Sequence, residues 1–266
     1  MKTRTFVIGL SLSSMATLAL ASGDFSAMQQ RLGIPDSVAT VVDASGKKPD
    51  VVLIQDIHRH PEAQENIRAV ILRGLKAWGV REVFLEGAWS AGQNKDFAFL
   101  GLEDPDVYRE NVVAYQAVEK VRDDALRELE TAKLFGRVAD ADSSDSWAQL
   151  KRLIQLRLKP SEYAEYMKNP YRPETTTPLA SAALSAEHFY EVANKRSGIF
   201  LENARKLHRS GTQVLVVGGF HTKAMAEELR KKGISYVVLS PRITQGGFEE
   251  LYANGMHETV SALKLQ

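Results

Sequence analysis

The chain has 266 residues, of which 44% are apolar and 25% are charged, and it contains no cysteine. These values are typical of a globular protein and exclude disordered, collagen-like and disulfide-stapled classes. The lack of cysteine also excludes thiolate metal sites, iron–sulfur clusters and cysteine nucleophiles. The net charge of +1 gives no excess positive field, so we expect no nucleic-acid partner.

Residues 1–21 have the three-part pattern of a secretory signal. Two basic residues precede an apolar run that begins at Phe6, and an A-x-A cleavage motif follows at residues 19–21. The run is interrupted by glycine and serine and is short for a membrane span, so we expect no stable membrane anchor. The pattern predicts an exported protein, periplasmic or secreted, whose mature part is residues 22–266.

Apolar runs and helical periodicity predict alternating strands and helices in the first part of the mature chain. The predicted elements are a helix over 25–32, strands over 39–43 and 51–54, a helix over 61–78 and a strand over 81–86. The last three form a strand–helix–strand unit, for which we expect a parallel, right-handed pair of strands.

The middle of the chain, roughly 90–210, is predicted to be mostly helical, and the alternation returns after it. The predicted elements are a helix from Asp104 to before Gly136, a strand over 137–142, a helix over 144–158, a loop over 169–178, a helix over 179–209, a strand over 213–217, a helix over 222–232 and a strand over 234–239.

This order of elements predicts an α/β fold in one domain, residues 22–266. The central, mainly parallel sheet is expected to come from the N- and C-terminal parts, and the helical insertion is expected to cover the rim at the carboxyl ends of the strands.

Three of the predicted strands end in polar residues that a buried strand would not need. Asp56 and His58 follow the first of them, Glu86 follows the second, and Gly218-Gly219 precede His221 after the third. Because ligands of open α/β sheets bind outside the carboxyl ends of the strands, we expect these residues to face one rim.

The same residues predict a metal site. Imidazole and carboxylate without thiolate suit Zn²⁺, Mn²⁺, Fe²⁺ or Co²⁺, and such a site usually leaves a position for water or substrate. We predict His58, His221, Glu86 and Asp56 as metal ligands, with Glu86 or Asp56 as the catalytic general base of metal-assisted hydrolysis.

Plainer interpretations remain open for three of these positions. Asp56 could instead cap the helix that begins at Pro61, His60 could be an exposed residue at the start of that helix, and Glu86 could form a surface ion pair. The remaining histidines, His188, His208 and His257, are interpreted as ordinary surface or core residues.

The motifs at residues 55–58 (QDIH), 84–87 (FLEG) and 218–221 (GGFH) resemble those of a known superfamily. It groups erythromycin esterase, ChaN-type haem-binding proteins, the TraB/GumN group and the Tiki peptidases. The chain looks most like the ChaN-like branch and uncharacterised secreted bacterial proteins. Residues 51–88 and 212–244 carry the similarity.

The resemblance implies an α/β fold with a helical lid and a site built at His58, Glu86 and His221. Asp56 stands where relatives often have glutamate, which keeps a carboxylate but shortens its reach. Further positions predicted for substrate contact or support are His60, Gln64, Arg196, Asn203 and Thr222. Among them, Arg196 and Asn203 lie in a segment that loosely resembles a helix crossing the site in relatives, although Ser197 stands where an aspartate is common.

Three functions follow from these observations. The first is an exported, metal-dependent hydrolase of the peptidase or esterase type, acting on a small-molecule or peptide substrate. The second is a haem- or iron-binding protein without catalysis, as in the ChaN branch. The third is a binding module that keeps the fold and has lost the chemistry.

A haem site would use a different set of residues. The axial ligand would be His58, His60 or Tyr171. Aromatic side chains that could wall a porphyrin, or pack between helices instead, are Phe97, Phe99, Tyr108 and Tyr115.

Overall fold

Helices and strands alternate towards both ends of the described chain, and helices dominate its middle. The computed structural model describes residues 25–57, 60–88, 90–93, 97–134, 143–172 and 176–244. The elements are α1 (25–32), β1 (Ala39–Ser45), β2 (Val51–Asp56), α2 (Pro61–Ala77), β3 (Val83–Leu85), β4 (Gly92–Gln93), β5 (Ala98–Gly101), α3 (Pro105–Leu134), α4 (Ser143–Ile154), α5 (Pro160–Tyr166), α6 (Pro178–Leu207), β6 (Gln213–Gly218), α7 (Gly219–Lys231) and β7 (Tyr236–Pro241). The predicted signal segment and the predicted strand over 137–142 lie outside the described residues.

Within the described residues, seven strands form one sheet in the order β1-β7-β2-β6-β3-β5-β4. The five inner strands are parallel to one another, in the order β7, β2, β6, β3 and β5. The edge strand β1 is antiparallel to β7, and the edge strand β4 is antiparallel to β5. This confirms an α/β fold with a mostly parallel sheet. Since parallel strands end at one edge, the segments after β2, β3, β5 and β6 are brought together.

Both faces of the sheet are covered, because the central strands are apolar throughout and alternate their side chains. In β2, Val52 and Ile54 pack towards α1 and α2, whereas Val51 and Leu53 pack towards α6 and α7. The helices that follow the neighbouring strands β2 and β6 therefore lie on opposite faces. A crevice is expected between two such strands at their carboxyl ends.

The large helical insertion, α3 to α6, has an apolar core of its own, with Val118, Leu153 and Tyr190 buried among its helices. Glu187 is buried here as well, and its carboxylate accepts hydrogen bonds from both terminal nitrogens of Arg172 at 2.6 and 2.8 Å. A buried carboxylate needs such a partner, because an unpaired charge in an apolar core is very costly.

Aromatic rings connect this core to α7. Tyr163 stacks on Tyr190 with ring centroids 4.7 Å apart, and Phe220 of α7 lies 5.6 Å from Tyr190. Burial raises the pKa of Tyr163 to about 12, so its hydroxyl stays protonated and donates to the carbonyl oxygen of Glu187 at 3.2 Å. The insertion therefore packs directly against the residue before His221.

The strand–helix–strand prediction is correct for orientation and wrong for adjacency. Strands β2 and β3 are parallel, but β6 lies between them and pairs with both. The apolar run Val214–Val217 makes this central position of β6 possible, because it is buried on both faces of the sheet, as a central strand requires.

Other differences concern short elements and a helix start. The sequence analysis missed β4, β5 and α5, which have two, four and seven residues. Helix α7 begins at Gly219 and not at Thr222, so His221 lies in its first turn. Within the described ranges, no helix is long and apolar enough to cross a membrane.

The turn between α6 and β6 provides a test of backbone constraint. Gly211 has a φ of 84°, and a Cβ there would collide with the carbonyl oxygen of Gly79. We expect Gly211→Ala to lower the free energy of unfolding by more than about 2 kcal/mol, measured by urea denaturation. The control is Gly233→Ala, with a φ of 68° and open space, for which about 1–2 kcal/mol is expected. Equal losses in the two variants would show that the close approach to Gly79 is unimportant.

Candidate functional site

The ends of β2, β3 and β6 meet at one edge of the sheet. Asp56, the last residue of β2, is the parallel partner of Gly218 in β6. On the other side of β6, the backbone N–H of Glu86 donates to the carbonyl oxygen of Val216 at 3.0 Å and extends the β3–β6 pairing. Asp56 and Glu86 therefore flank the end of β6, from which α7 and His221 begin.

Glu86 lies at the centre of this edge with its side chain only 8% exposed. Its Oε2 accepts a hydrogen bond from the backbone N–H of Gly218 at 2.5 Å, and its Oε1 accepts one from Nη2 of Arg196 at 3.0 Å. The same Oε1 lies 3.3 Å from Nε2 of His221. The interpretation of Glu86 as a surface residue is therefore wrong, because its carboxylate is enclosed by three different elements.

Arg196 is buried between two carboxylates. Its guanidinium donates to Oε1 and Oε2 of Glu103, the latter at 3.2 Å, to Oε1 of Glu86, and to Oδ1 of Asn111 at 3.3 Å. The Glu103 side chain is completely buried. The guanidinium of Arg196 therefore pairs with both carboxylates, which compensate its charge in this buried position.

The guanidinium is also enclosed by aromatic rings. Its central carbon lies 5.5 Å from the ring centroid of Tyr108 and 5.2 Å from that of Phe200, within the range of cation–π attraction. The rings exclude water from the ion pairs, which strengthens their electrostatic attraction. Arg196 therefore fixes α6 against the ends of β3 and β5.

His221 is 4% exposed and is held through both ring nitrogens. Nε2 faces Glu86, and Nδ1 lies 2.9 Å from Oγ of Ser197. The rings of Phe200 and Phe220 approach the imidazole edge-on at 5.0 and 5.5 Å. The imidazole is thus placed between a carboxylate and a hydroxyl, with apolar rings beside it.

Asp56 and His60 have partners around the start of α2. Oδ1 of Asp56 accepts a hydrogen bond from Nε2 of Gln64 at 2.6 Å. His60 is the N-cap of α2, where its Nδ1 accepts from the backbone N–H of Ala63 at 3.4 Å. The interpretation of His60 as exposed is wrong, because it is only 3% exposed. Asp56 does not occupy the N-cap position.

Two further residues suggested by the resemblance bind backbone groups. Asn203 donates to the carbonyl oxygen of Leu102 at 3.0 Å, one residue from the Glu103 that Arg196 binds. Thr222 donates to the carbonyl oxygen of Gly219 at 2.9 Å and accepts from Nε2 of Gln55 at 3.1 Å. In these positions Asn203 and Thr222 support the elements that carry the site.

The donor atoms present fit a divalent metal ion in part. Oε1 of Glu86 and Nε2 of His221 are 3.3 Å apart, close to the separation of about 3.4 Å between two ligands of a tetrahedral ion with bonds of about 2.1 Å. Among the described residues, no group of three or more histidine and carboxylate side chains could hold an ion. His58, a predicted ligand, lies outside the described residues, so the metal site stays a prediction.

The aromatic residues named for the haem alternative belong to separate parts of the molecule. Phe97 packs against the sheet face that α1 and α2 cover, and Tyr115 is buried in the helical core. Tyr108 lies against Arg196, and Tyr171 packs at the border of the helical core. Their positions correspond to packing roles between the elements.

Sequence reasoning missed Glu103 and Asn111 as members of this site, and it considered Ser197 only as a position where the proteins it resembles often have aspartate. A signal for Glu103 was present, since Phe99-Leu100-Gly101-Leu102-Glu103 is another short apolar run that ends in a carboxylate. Asn111 and Ser197 carry no comparable signal, because the packing of α3 on α6 brings Asn111 to Arg196 and the packing of α6 on α7 brings Ser197 to His221.

The histidines outside the site have different surroundings. His208 lies 3.0 Å from a carboxylate oxygen of Glu82, before β3, and His188 is a half-exposed neighbour of Glu110. This agrees with their interpretation as ordinary residues, and His257 lies outside the described part of the chain.

A comparison of the chain with protein-family models, with curated proteins and with solved structures finds no match. The superfamily resemblance therefore remains a prediction from the motifs, and the candidate site is argued from its own geometry.

The burial of Arg196 predicts a large difference between two adjacent residues of α6. We expect Arg196→Met to lower the free energy of unfolding by about 3–5 kcal/mol, because Glu103 and Glu86 would remain buried without their cation. Lys195→Met is the matched control, since Lys195 is exposed and binds Glu110 at 3.3 Å, and a loss below about 1 kcal/mol is expected. Chemical denaturation of both variants measures the difference, and a small loss in Arg196→Met would contradict the buried ion-pair cluster.

Proposed function

We propose that the protein is a hydrolase of ester or amide bonds that activates a water molecule beside Glu86 and His221. The observation that carries the proposal is the 3.3 Å approach of Nε2 of His221 to Oε1 of Glu86 at a nearly buried strand end. A histidine and a carboxylate in hydrogen-bond reach are a common acid–base pair, because imidazole both takes and gives protons near neutral pH.

The surroundings suit this role. Gly218 and Arg196 hold both oxygens of Glu86, so the carboxylate needs little rearrangement when charge develops on the imidazole. The pair lies at the end of β6, beside the point between β2 and β6 where the following helices leave on opposite faces and where open α/β sheets bind small ligands. A small-molecule or peptide substrate would enter at this edge.

The proposal includes a divalent metal ion. Glu86 and His221 would hold it, with Asp56 from the neighbouring strand end and His58 from the segment that follows. When bound, the ion supplies Lewis acidity and lowers the pKa of a bound water towards neutrality. A carboxylate that does not bind the ion, Glu86 or Asp56, would then take the proton from that water.

Export is part of the same proposal and rests on the pattern of residues 1–21. An exported enzyme without cysteine must be stabilised by apolar burial, and nitrogen and oxygen atoms must bind any metal.

The test compares wild type with His221→Gln and Glu86→Gln on panels of chromogenic esters and peptides. We expect both variants to lose at least about 100-fold in kcat/KM, because each removes one half of the acid–base pair. Elemental analysis should find a divalent metal in the wild type and a reduced content in both variants.

His208→Gln is the matched control, since it removes an imidazole that pairs with Glu82 before β3 and should keep full activity. Circular dichroism checks that each variant is folded. Hydrolysis that survives in folded His221→Gln would overturn the proposed site, and hydrolysis that survives exhaustive chelation would overturn the metal requirement. A wild type that hydrolyses nothing in either panel would contradict the hydrolase itself.

A further inference from the structure

Two consecutive residues of α6 hold the two members of the Glu86–His221 pair. Nη2 of Arg196 donates to Oε1 of Glu86 at 3.0 Å, and Oγ of Ser197 lies 2.9 Å from Nδ1 of His221. Ser197 is only 3% exposed, so its hydroxyl is not engaged with bulk water. The helix therefore contacts the pair at both ends.

The contact with Ser197 selects one orientation of the imidazole. If the ring turned by half a turn about its bond to Cβ, Cδ2 would take the place of Nδ1, and Cε1 would take the place of Nε2. The rotated ring would place C–H groups against the Ser197 hydroxyl and the Glu86 carboxylate, so the hydrogen bond to Ser197 and the approach of Nε2 to Glu86 would both be lost. The edge-on rings of Phe200 and Phe220 offer no alternative polar partner on their sides.

A hydroxyl suits this task because one oxygen atom both donates and accepts, whereas an ionised carboxylate only accepts and an amide donates and accepts through different atoms. Oγ of Ser197 also lies 3.3 Å from the carbonyl oxygen of Ala193, four residues earlier in the helix. Its proton can point to Nδ1, or it can point to Ala193 while Oγ accepts from an Nδ1–H group. Ser197 therefore keeps its contact with Nδ1 whichever ring nitrogen carries the proton.

We propose that Ser197 is a positioning residue, which holds Nδ1 of His221 and so directs Nε2 to Glu86 as the reactive nitrogen. The inference rests on the proposed function for the use of Nε2, whereas the orientation of the ring is measurable by itself. Partners of this kind on the second nitrogen of a functional histidine typically contribute about 10–100-fold to metal affinity or activity.

The variants Ser197→Thr and Ser197→Val form a matched pair, because they have nearly the same shape and only threonine keeps the hydroxyl. Nitrogen-15 NMR measures the chemical shifts of the two imidazole nitrogens directly. The His221 signals are assigned by their loss in His221→Gln. We expect the Nδ1 resonance to shift in Ser197→Val and to stay near its wild-type position in Ser197→Thr. A resonance that is equal in all three proteins would overturn the proposal.

Kinetics on a substrate that the wild type hydrolyses provide the second measurement. We expect kcat to fall about 10–100-fold in Ser197→Val with little change in KM, and to recover in Ser197→Thr. Equal rates in the two variants would also overturn the positioning role. If the wild type has no hydrolytic activity, the proposed function fails while the NMR measurement still decides the role of Ser197.

Discussion

The position of the helical insertion depends on the guanidinium of Arg196 being buried between Glu86 and Glu103. Burying one charge is costly unless its partners are in place. The folded protein therefore needs α6, the end of β3 and the segment after β5 in their correct positions at the same time. An apolar contact tolerates small shifts of one helix on another, whereas a guanidinium with four hydrogen bonds tolerates few. The electrostatic constraint thus determines where α6 crosses the edge of the sheet.

The interleaved strand order makes this arrangement possible. Strand β6 lies between β2 and β3, so the backbone N–H of Gly218 reaches the carboxylate of Glu86 at the end of the neighbouring strand. Because β6 pairs with both β2 and β3, Asp56 and Glu86 lie on either side of the start of α7. The site therefore requires the late part of the chain to insert between two early strands. This is a long-range pairing with a high entropic cost, which the apolar burial of β6 compensates.

Local patterns predicted most of the elements that carry the site, and they failed where tertiary packing decides. The runs that end at Asp56, Glu86 and Gly218 were recognisable because a polar residue after a buried strand is unusual. Strand β5 was missed because four residues give too little alternation to distinguish a strand from a loop. The position of β6 was not predictable, because several apolar strands have the same pattern and the sheet order depends on their mutual packing. Arg196 and Ser197 needed α6 to be placed on the sheet before their partners could be identified.

Two electrostatic effects oppose each other at the proposed reaction centre. His221 lies in the first turn of α7, where the helix dipole disfavours a positive charge by about 0.3–1 kcal/mol and at most about 2 kcal/mol. A carboxylate about 4 Å from the same charge favours it by about 4 kcal/mol at an effective dielectric constant of about 20. The approach of Glu86 and the position in the first turn of α7 thus act in opposite directions on the imidazole, and Arg196 shares its charge between Glu86 and Glu103. In the proposed reaction, the carboxylate of Glu86 stabilises the proton that leaves water, or a metal ion that activates it, at the end of β6.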